Sequence, residues 1–134
     1  MLFRSPKGYQ RMMKMRDILL ELGGVLWAPC PHSLHCPLPS SDWCHFSARV
    51  ARSSLHRQLK GGALGYEDEK FCYLVFGKEE IAPFTGRVIR HPMKKTGFVE
   101  LTLCQKEGVE KKIYSKRDKD SYKSMKKAEW GDWL

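Results

Sequence analysis

Residues 28–46 read APCPHSLHCPLPSSDWCHF and place Cys30, Cys36 and Cys44 within fifteen residues. Proline follows Cys30 and Cys36 directly and fixes the backbone direction there, so that the sulfurs can converge on one point. The first eight residues carry two basic side chains and no apolar segment, and so do not resemble a secretory signal. The thiols are therefore expected to be reduced, and the stretch predicts a metal-binding loop.

Two further cysteines lie outside this loop. Cys72 stands within FCYLVF, an apolar segment typical of a strand, where cysteine behaves as a small buried hydrophobe. Cys104 follows the strand-like segment 98–103 and precedes a glycine-containing turn, and a side chain at such a loop edge can reach a metal. The predicted ligands are Cys30, Cys36, Cys44 and Cys104.

The spacing leaves two identities open for the metal. Structural zinc sites usually pair cysteines two to four residues apart, whereas five, seven and fifty-nine residues separate the successive ligands here. Four thiolates that arrive from separate directions suit a cubane iron–sulfur cluster, and proline after a ligand cysteine also occurs in cluster loops. Ligand chemistry therefore admits a 4Fe–4S cluster and zinc alike.

Imidazole and indole side chains lie close to the ligand cysteines in the sequence. We expect them to hydrogen-bond the loop or to cover the site against water. These predicted surrounding residues are His32, His35, His45 and Trp43. A mixed cysteine and histidine site is the alternative.

The charge is concentrated in one part of this 134-residue chain. Its net charge is +9, and residues 86–127 hold 13 Lys and Arg against 5 Asp and Glu. This asymmetry indicates contact with nucleic acid, the alternative being a solvated lysine-rich face. No apolar run approaches the ~18 residues of a membrane span. The side chains predicted to contact RNA are Arg49, Arg52, Lys60, Lys94, Lys95, Lys111, Lys112, Lys116 and Arg117.

Apolar periodicity predicts an α+β fold. A first helix over residues 9–22 should bury an apolar stripe, and Gly23 and Gly24 end it. That stripe consists of Met12, Met15, Leu19 and Leu22. A basic helix capped by Ser47 is predicted next, followed by an exposed acidic turn and then a small strand meander with turns at 94–97 and 107–108. The predicted ranges are 47–60 for the basic helix, 67–70 for the acidic turn, 25–28, 71–76, 87–90, 98–103 and 109–115 for strands, and 118–129 for a terminal helix.

Several phrases in combination resemble one family. They are APCPH (28–32), CPL (36–38), DWCHF (42–46), YEDEKF (66–71) and WGD (130–132). Together they are similar to the Rsm22 family of methyltransferase-like small-ribosomal-subunit assembly proteins, over nearly the whole chain. The resemblance implies a class I methyltransferase-like fold with a metal-binding C-terminal extension. It also implies a 4Fe–4S cluster rather than zinc, because the family's four cluster cysteines map onto Cys30, Cys36, Cys44 and Cys104.

The cofactor-binding unit of a methyltransferase has no equivalent in this sequence. That unit is a strand, a glycine-rich loop and a helix, whereas Gly23 and Gly24 follow a predicted helix. We therefore expect a C-terminal fragment or split-gene product that is inactive alone, has no catalytic residue, and meets S-adenosylmethionine only in a full-length protein. Three parts are predicted to pack as one unit: 1–28 as a remnant of the methyltransferase-like domain, 29–85 with the cysteine-rich loop, basic helix and strand, and 86–134 with the basic meander and C-terminal helix.

The resemblance and the charge together suggest a nonenzymatic module that contacts rRNA during maturation of the small ribosomal subunit. The expected compartment is the mitochondrial matrix or the bacterial cytoplasm. One alternative is the C-terminal half of an active RNA methyltransferase completed by an upstream methyltransferase-like polypeptide. The other is a zinc-binding nucleic-acid module with no ribosomal role.

Overall fold

The computed structural model describes residues 2–82 and 84–134, and it has the predicted α+β composition with antiparallel sheets. The helices are α1 (Pro6–Glu21), α2 (Ser54–Lys60) and α3 (Lys119–Met125). The strands are β1 (Leu2–Phe3), β2 (Val25–Ala28), β3 (Phe46–Ala51), β4 (Tyr66–Tyr73), β5 (Val75–Gly77), β6 (Gly86–Val88), β7 (Met93–Lys95), β8 (Phe98–Gln105) and β9 (Gly108–Ser115). Within the described residues, no helix is long and apolar enough to cross a membrane. The division into parts 1–28, 29–85 and 86–134 stays a prediction.

The strands form antiparallel sheets around two central strands. In the first sheet, β4 lies between β1 and β3. In the second sheet, β8 pairs with β9 along one edge and with β6 and β7 along the other. β2 pairs with β5 separately. The cysteine loop runs from the end of β2 to the start of β3, and it is therefore held between all three sheets.

The first helix packs with a face different from the predicted one. Of the predicted stripe, only Met12 is buried. Met15 and Leu19 are exposed, and Leu22 is 78% exposed. The buried face carries Tyr9, Met12 and Arg16. Tyr9 and Met12 pack with Cys72, and Arg16 hydrogen-bonds the cysteine loop. Polar contacts to the loop, rather than hydropathy, decide which face is buried.

The segment after the cysteine loop forms a strand and a short helix, so the helix predicted over 47–60 is wrong in its first half. β3 pairs with β4 along its whole length, and Ser53 rather than Ser47 caps α2. The acidic residues 67–70 lie within β4 and not in a turn. Opposite charges directly across the ladder favour this pairing. We call residues 46–73 the arm.

The predicted meander is confirmed as an antiparallel sheet with β8 at its centre. Val99, Leu101 and Leu103 alternate on one face of β8 and form a core with Val88 and Ala128. α3, which is shorter than predicted, packs its partly buried side chains against this core. The alternation of buried residues is the period of a half-buried strand, which explains why the sequence indicated it.

Several basic and sulfur side chains of the meander lie in strands where the sequence suggested turns or loop edges. Cys104 stands inside β8, where it pairs with Arg87 of β6. Lys94 and Lys95 belong to β7. These positions are set by pairing with β8, a contact that local turn signals do not report.

The residues after α3 run alongside β6. Leu134 N donates to Gly86 O at 3.0 Å, and Val88 N donates to Asp132 O at the same distance. The backbone groups of β6 that do not face β8 are thereby satisfied. This segment also brings Gly131 to the edge of the cysteine loop, as described below.

A glycine in β5 allows a tryptophan to lie flat on the strand. A Cβ added to Gly77 would overlap the six-membered ring of Trp27, whose Nε1 donates to Glu79 O at 2.8 Å. Gly77→Ala is therefore expected to lower the free energy of unfolding by about 1–3 kcal/mol in urea denaturation. Gly65→Ala is the control, since its Cβ would meet nothing within 4 Å, and it should change stability by less than about 0.5 kcal/mol. Equal losses in both variants would contradict the overlap.

Candidate metal centre

The four predicted ligand cysteines line one pocket. Cys30 and Cys36 come from the loop after β2, Cys44 from the end of that loop, and Cys104 from β8. Tyr9 of α1 closes the pocket from another side. Residues from three separate elements thus meet at one apolar site.

The thiols in this pocket are buried or half-buried and act on one another. Burial, together with the smaller effect of the neighbouring sulfurs of Cys30 and Cys36, raises the pKa of Cys104 to about 12. The pKa of Cys44 is raised for the same reasons, burial first and the sulfurs of Cys30, Cys104 and Cys36 after it. Thiols in such surroundings stay protonated unless a cation replaces the protons, because the ligand form is the thiolate.

Cys72 borders the same pocket, but the other sulfurs do not affect its pKa. It is 1% exposed, and its thiol donates to Phe3 O at 3.5 Å. Burial raises its pKa, and the other four sulfurs do not contribute to the shift. The fifth thiol is therefore a packing residue, as the sequence predicted.

The sulfurs share the pocket without meeting at an ion-sized point. Among residues 2–82 and 84–134, no group of three His, Cys, Asp or Glu side chains is placed to hold a metal ion. The four thiols therefore line an apolar pocket without converging on one point.

The predicted surrounding residues fall into two groups. His32 lines the pocket, and both of its ring nitrogens are buried without a hydrogen-bond partner in the described part of the chain. His45 is buried, its Nδ1 lies 3.0 Å from Trp43 O, and its ring stacks on Trp43 at 4.3 Å between centroids. Burial lowers the pKa of both histidines. His35 is exposed and faces a neighbouring groove instead.

Arg16 of α1 holds the first part of the cysteine loop, and it was not predicted from the sequence. It is 1% exposed, and its Nη2 donates to His32 O at 3.1 Å and to Leu34 O at 2.7 Å. Its Nη1 lies 3.4 Å from Asp17 Oδ1, a carboxylate whose side chain is 61% exposed. Nothing local distinguishes Arg16 from Arg11 on the same helix.

Arg87 of β6 holds the start of the loop from the other side, and it too was missed. It is 2% exposed, with Nε donating to Pro29 O at 3.0 Å and Nη1 to Gly131 O at 2.6 Å. Its guanidinium lies 4.5 Å from the ring centroid of Trp133, a cation–π contact. Burial lowers its pKa. A single side chain thus joins the cysteine loop to the segment after α3.

Two further contacts fix the loop near its other cysteines. The Tyr9 hydroxyl lies 3.3 Å from Cys36 Sγ, and burial followed by this contact raises the pKa of Tyr9. Arg90 Nη2 donates to Asp42 Oδ2 at 2.5 Å, two residues before Cys44. The loop is therefore anchored beside each of its three thiols.

The predicted RNA-contacting residues of the arm are engaged in ion pairs. Arg49 Nε donates to Asp68 Oδ1 at 2.9 Å, and Arg52 Nη2 donates to Glu67 Oε2 at 2.6 Å. Lys60 Nζ lies 3.7 Å from the same carboxylate of Glu67. The arginines lower the pKa of both carboxyls, Arg49 that of Asp68 and Arg52 that of Glu67. Acidic residues of the arm itself thus neutralise much of its positive charge.

The other predicted RNA-contacting residues lie on the second sheet. Lys94 and Lys95 are on β7, and Lys111 and Lys112 are on β9. Lys116 and Arg117 directly follow β9. All six are exposed. Lys111 Nζ lies 3.7 Å from Glu100 Oε1, so its charge is partly balanced.

A groove connects the arm to the second sheet. Arg49 of the arm and Lys94 of β7 line it together with His91 and Trp130. His91 and Trp130 lie with their rings nearly parallel, 6.2 Å apart between centroids. Two basic segments that are distant in the sequence are therefore brought to one place.

Comparison with known proteins identifies the family. Residues 4–134 match the family model described as mitochondrial small ribosomal subunit Rsm22. The chain is also 26% identical over 144 residues to the Homo sapiens ribosome assembly protein METTL17, mitochondrial, a match that covers 97% of this chain. The chain spans about 30% of the length of that relative. The matched residues include the whole cysteine loop and Cys104, and on this evidence the chain belongs to the mitochondrial small ribosomal subunit Rsm22 family.

Proposed function

We propose that this chain is a metal–thiolate module that contacts rRNA in assembly of the small ribosomal subunit. The observation that carries the proposal is the meeting of three thiols of the cysteine loop with the thiol of Cys104 from β8 in one apolar pocket. Family membership and the name of the METTL17 relative support the ribosomal role. The same names support the mitochondrial matrix rather than the bacterial cytoplasm as the compartment.

The proposed group is a 4Fe–4S cluster held by Cys30, Cys36, Cys44 and Cys104. Zinc would draw all four sulfurs to about 2.3 Å from one atom, whereas a cubane binds each thiolate at a different corner. Three thiols of the loop and one of β8 line one apolar pocket, and their wide spacing in the sequence favours the cubane over zinc. The apolar lining keeps water away from the centre, which protects a cluster's inorganic sulfide and tunes its potential.

The proposed RNA surface is the groove between the arm and β7, extended by the lysines of β9. Lys94 and Lys95 are exposed and make no ion pair within the described residues. Their positive charges are thus free for phosphates, unlike those of Arg49 and Arg52. Lys94 lines the groove beside the ring faces of His91 and Trp130, and bases stack on such faces; Lys95 follows Lys94 on β7. We infer that the backbone of a structured RNA lies along this groove.

Reversing the charge of the β7 lysines tests the RNA contact. The logarithm of the affinity for a structured fragment of small-subunit rRNA is expected to fall linearly with the logarithm of the salt concentration. Each phosphate contact should add roughly 0.7–0.9 to the steepness of this slope. In the Lys94→Glu/Lys95→Glu double variant the slope should drop by about 1.4–1.8, if each lysine neutralises one phosphate. Fluorescence anisotropy between 50 and 300 mM salt, roughly the range over which such slopes are resolved, gives both quantities.

The matched control reverses two lysines elsewhere. Lys7 and Lys14 are exposed on α1 and do not line the groove. Lys7→Glu/Lys14→Glu changes the net charge by the same amount as the β7 double variant. It should shift the affinity slightly and leave the slope of the salt plot unchanged. If both double variants lower the slope equally, or if salt leaves binding unchanged, the groove is not the RNA site.

A further inference from the structure

Two arginines beside the cysteine pocket bury positive charge without a buried carboxylate. Arg16 has Asp17 as its ion-pair partner, and that carboxylate is largely in solvent. Arg87 makes no ion pair with any residue that the structure describes. Arg90 differs from both, because Asp42 neutralises it at 2.5 Å.

Neutral backbone carbonyls replace water around these two guanidinium groups only in part. Each arginine keeps one buried donor without a partner in the described residues, Nε of Arg16 and Nη2 of Arg87. An uncompensated buried charge costs several kcal/mol, roughly, even after relaxation. A fold that places two of them around one pocket therefore needs a negative group in that pocket.

The ligand thiols are the nearest source of such a group. Arg16 lines the pocket together with Cys30 and Cys104, and Arg87 Nε donates to the carbonyl of Pro29, the residue before Cys30. Four thiolates around a core with two positive charges leave two net negative charges. That holds for an oxidised cubane and for zinc alike. Two guanidinium groups balance this charge.

We propose that Arg16 and Arg87 are the counter-charges of a dianionic metal–thiolate centre, and that they couple its retention to the stability of the fold. The inference rests on the proposed metal centre but not on the identity of the metal. With the centre in place, each arginine is compensated and holds the loop. Without the centre, the two positive charges are left buried and unbalanced.

Removing each charge separates this role from a purely structural one. In Arg87→Met and Arg16→Met, metal release to a chelator is expected to be at least about tenfold faster than in the parent protein. In urea unfolding of the metal-free proteins, by contrast, the Met variants should be as stable as the metal-free parent or more stable. Arg87→Lys and Arg16→Lys keep the charge but lose the two-donor geometry, and they should release metal more slowly than the Met variants. Since the two arginines stand on different elements, either one decides the matter if the other variant does not fold.

Arg11→Met on the exposed side of α1 is the matched control and should leave both measurements unchanged. If the Met variants destabilise the metal-free and metal-loaded proteins equally and release metal at the parent rate, the arginines are loop anchors and the inference is wrong. Metal and sulfide content of the parent is measured first. A parent that binds no metal through its cysteines overturns the proposed function and this inference together, whereas a metal-loaded parent with unaffected variants overturns the inference alone.

Discussion

Purified without oxygen, the protein is expected to contain about four irons and four sulfides per chain, because four cysteine thiolates are the usual ligands of a cubane cluster. Replacing any one of Cys30, Cys36, Cys44 and Cys104 with serine should reduce the iron and sulfide content to near zero. All four line the pocket, and the thiol of Cys72, which also lines it, donates to Phe3 O instead. Iron and sulfide assays, with the visible absorption of the cluster, measure the effect.

Cys72→Ser is the control for these variants. It removes a fifth buried thiol from the border of the same pocket, and a serine hydroxyl can still donate to Phe3 O. Its iron and sulfide content should match that of the parent. Stoichiometric zinc without sulfide in the parent protein would overturn the cluster assignment, and loss of iron in Cys72→Ser would show that the ligand set is wrong.

Removing the metal is expected to loosen the whole fold. The ligands join the loop after β2 to the centre of the second sheet, closing a long segment of chain between Cys44 and Cys104. A cross-link over a loop of that length is worth about 4 kcal/mol by chain entropy alone, and metal binding adds its own free energy to folding. The metal-free protein should therefore unfold at a much lower urea concentration and be cleaved by protease within both sheets.

The place of cleavage makes this prediction specific. If the metal stabilised the cysteine loop alone, new cuts would fall within residues 29–45, and the second sheet would stay protected. Mass spectrometry of the first fragments distinguishes the two results. A cleavage pattern identical before and after metal removal would contradict any coupling between the centre and the fold.

The meeting of the four cysteines in one pocket could be predicted from the sequence, but the groups that hold their loop could not. A reduced thiol next to proline in a loop has few structural uses, so its residue type and spacing indicate a metal. Arginine has many uses. Arg16 shares α1 with Arg11 and Lys14, and only burial against the loop, a tertiary property, singles it out.

The arm shows the same limit for secondary structure. Residues 47–60 carry small and apolar side chains at helical spacing, which is a local signal. The strand that forms instead depends on partners such as Asp68, nineteen residues beyond Arg49. Cross-strand pairing of this kind overrides a weak local preference. In β8, where alternation and tertiary pairing agree, the prediction was right.

The position of Cys104 inside β8 has a consequence for the order of events during synthesis. The first three thiols leave the ribosomal exit tunnel together, and the fourth follows only after another fifty-nine residues. At about 5–20 residues per second, this delay lasts roughly 3–12 s. Throughout that interval β8 has not yet closed the pocket, and three thiols without their fourth partner are open to oxidants. Metal delivery can be completed only after this delay, so the nascent chain passes through a period in which its redox environment decides whether the site can form.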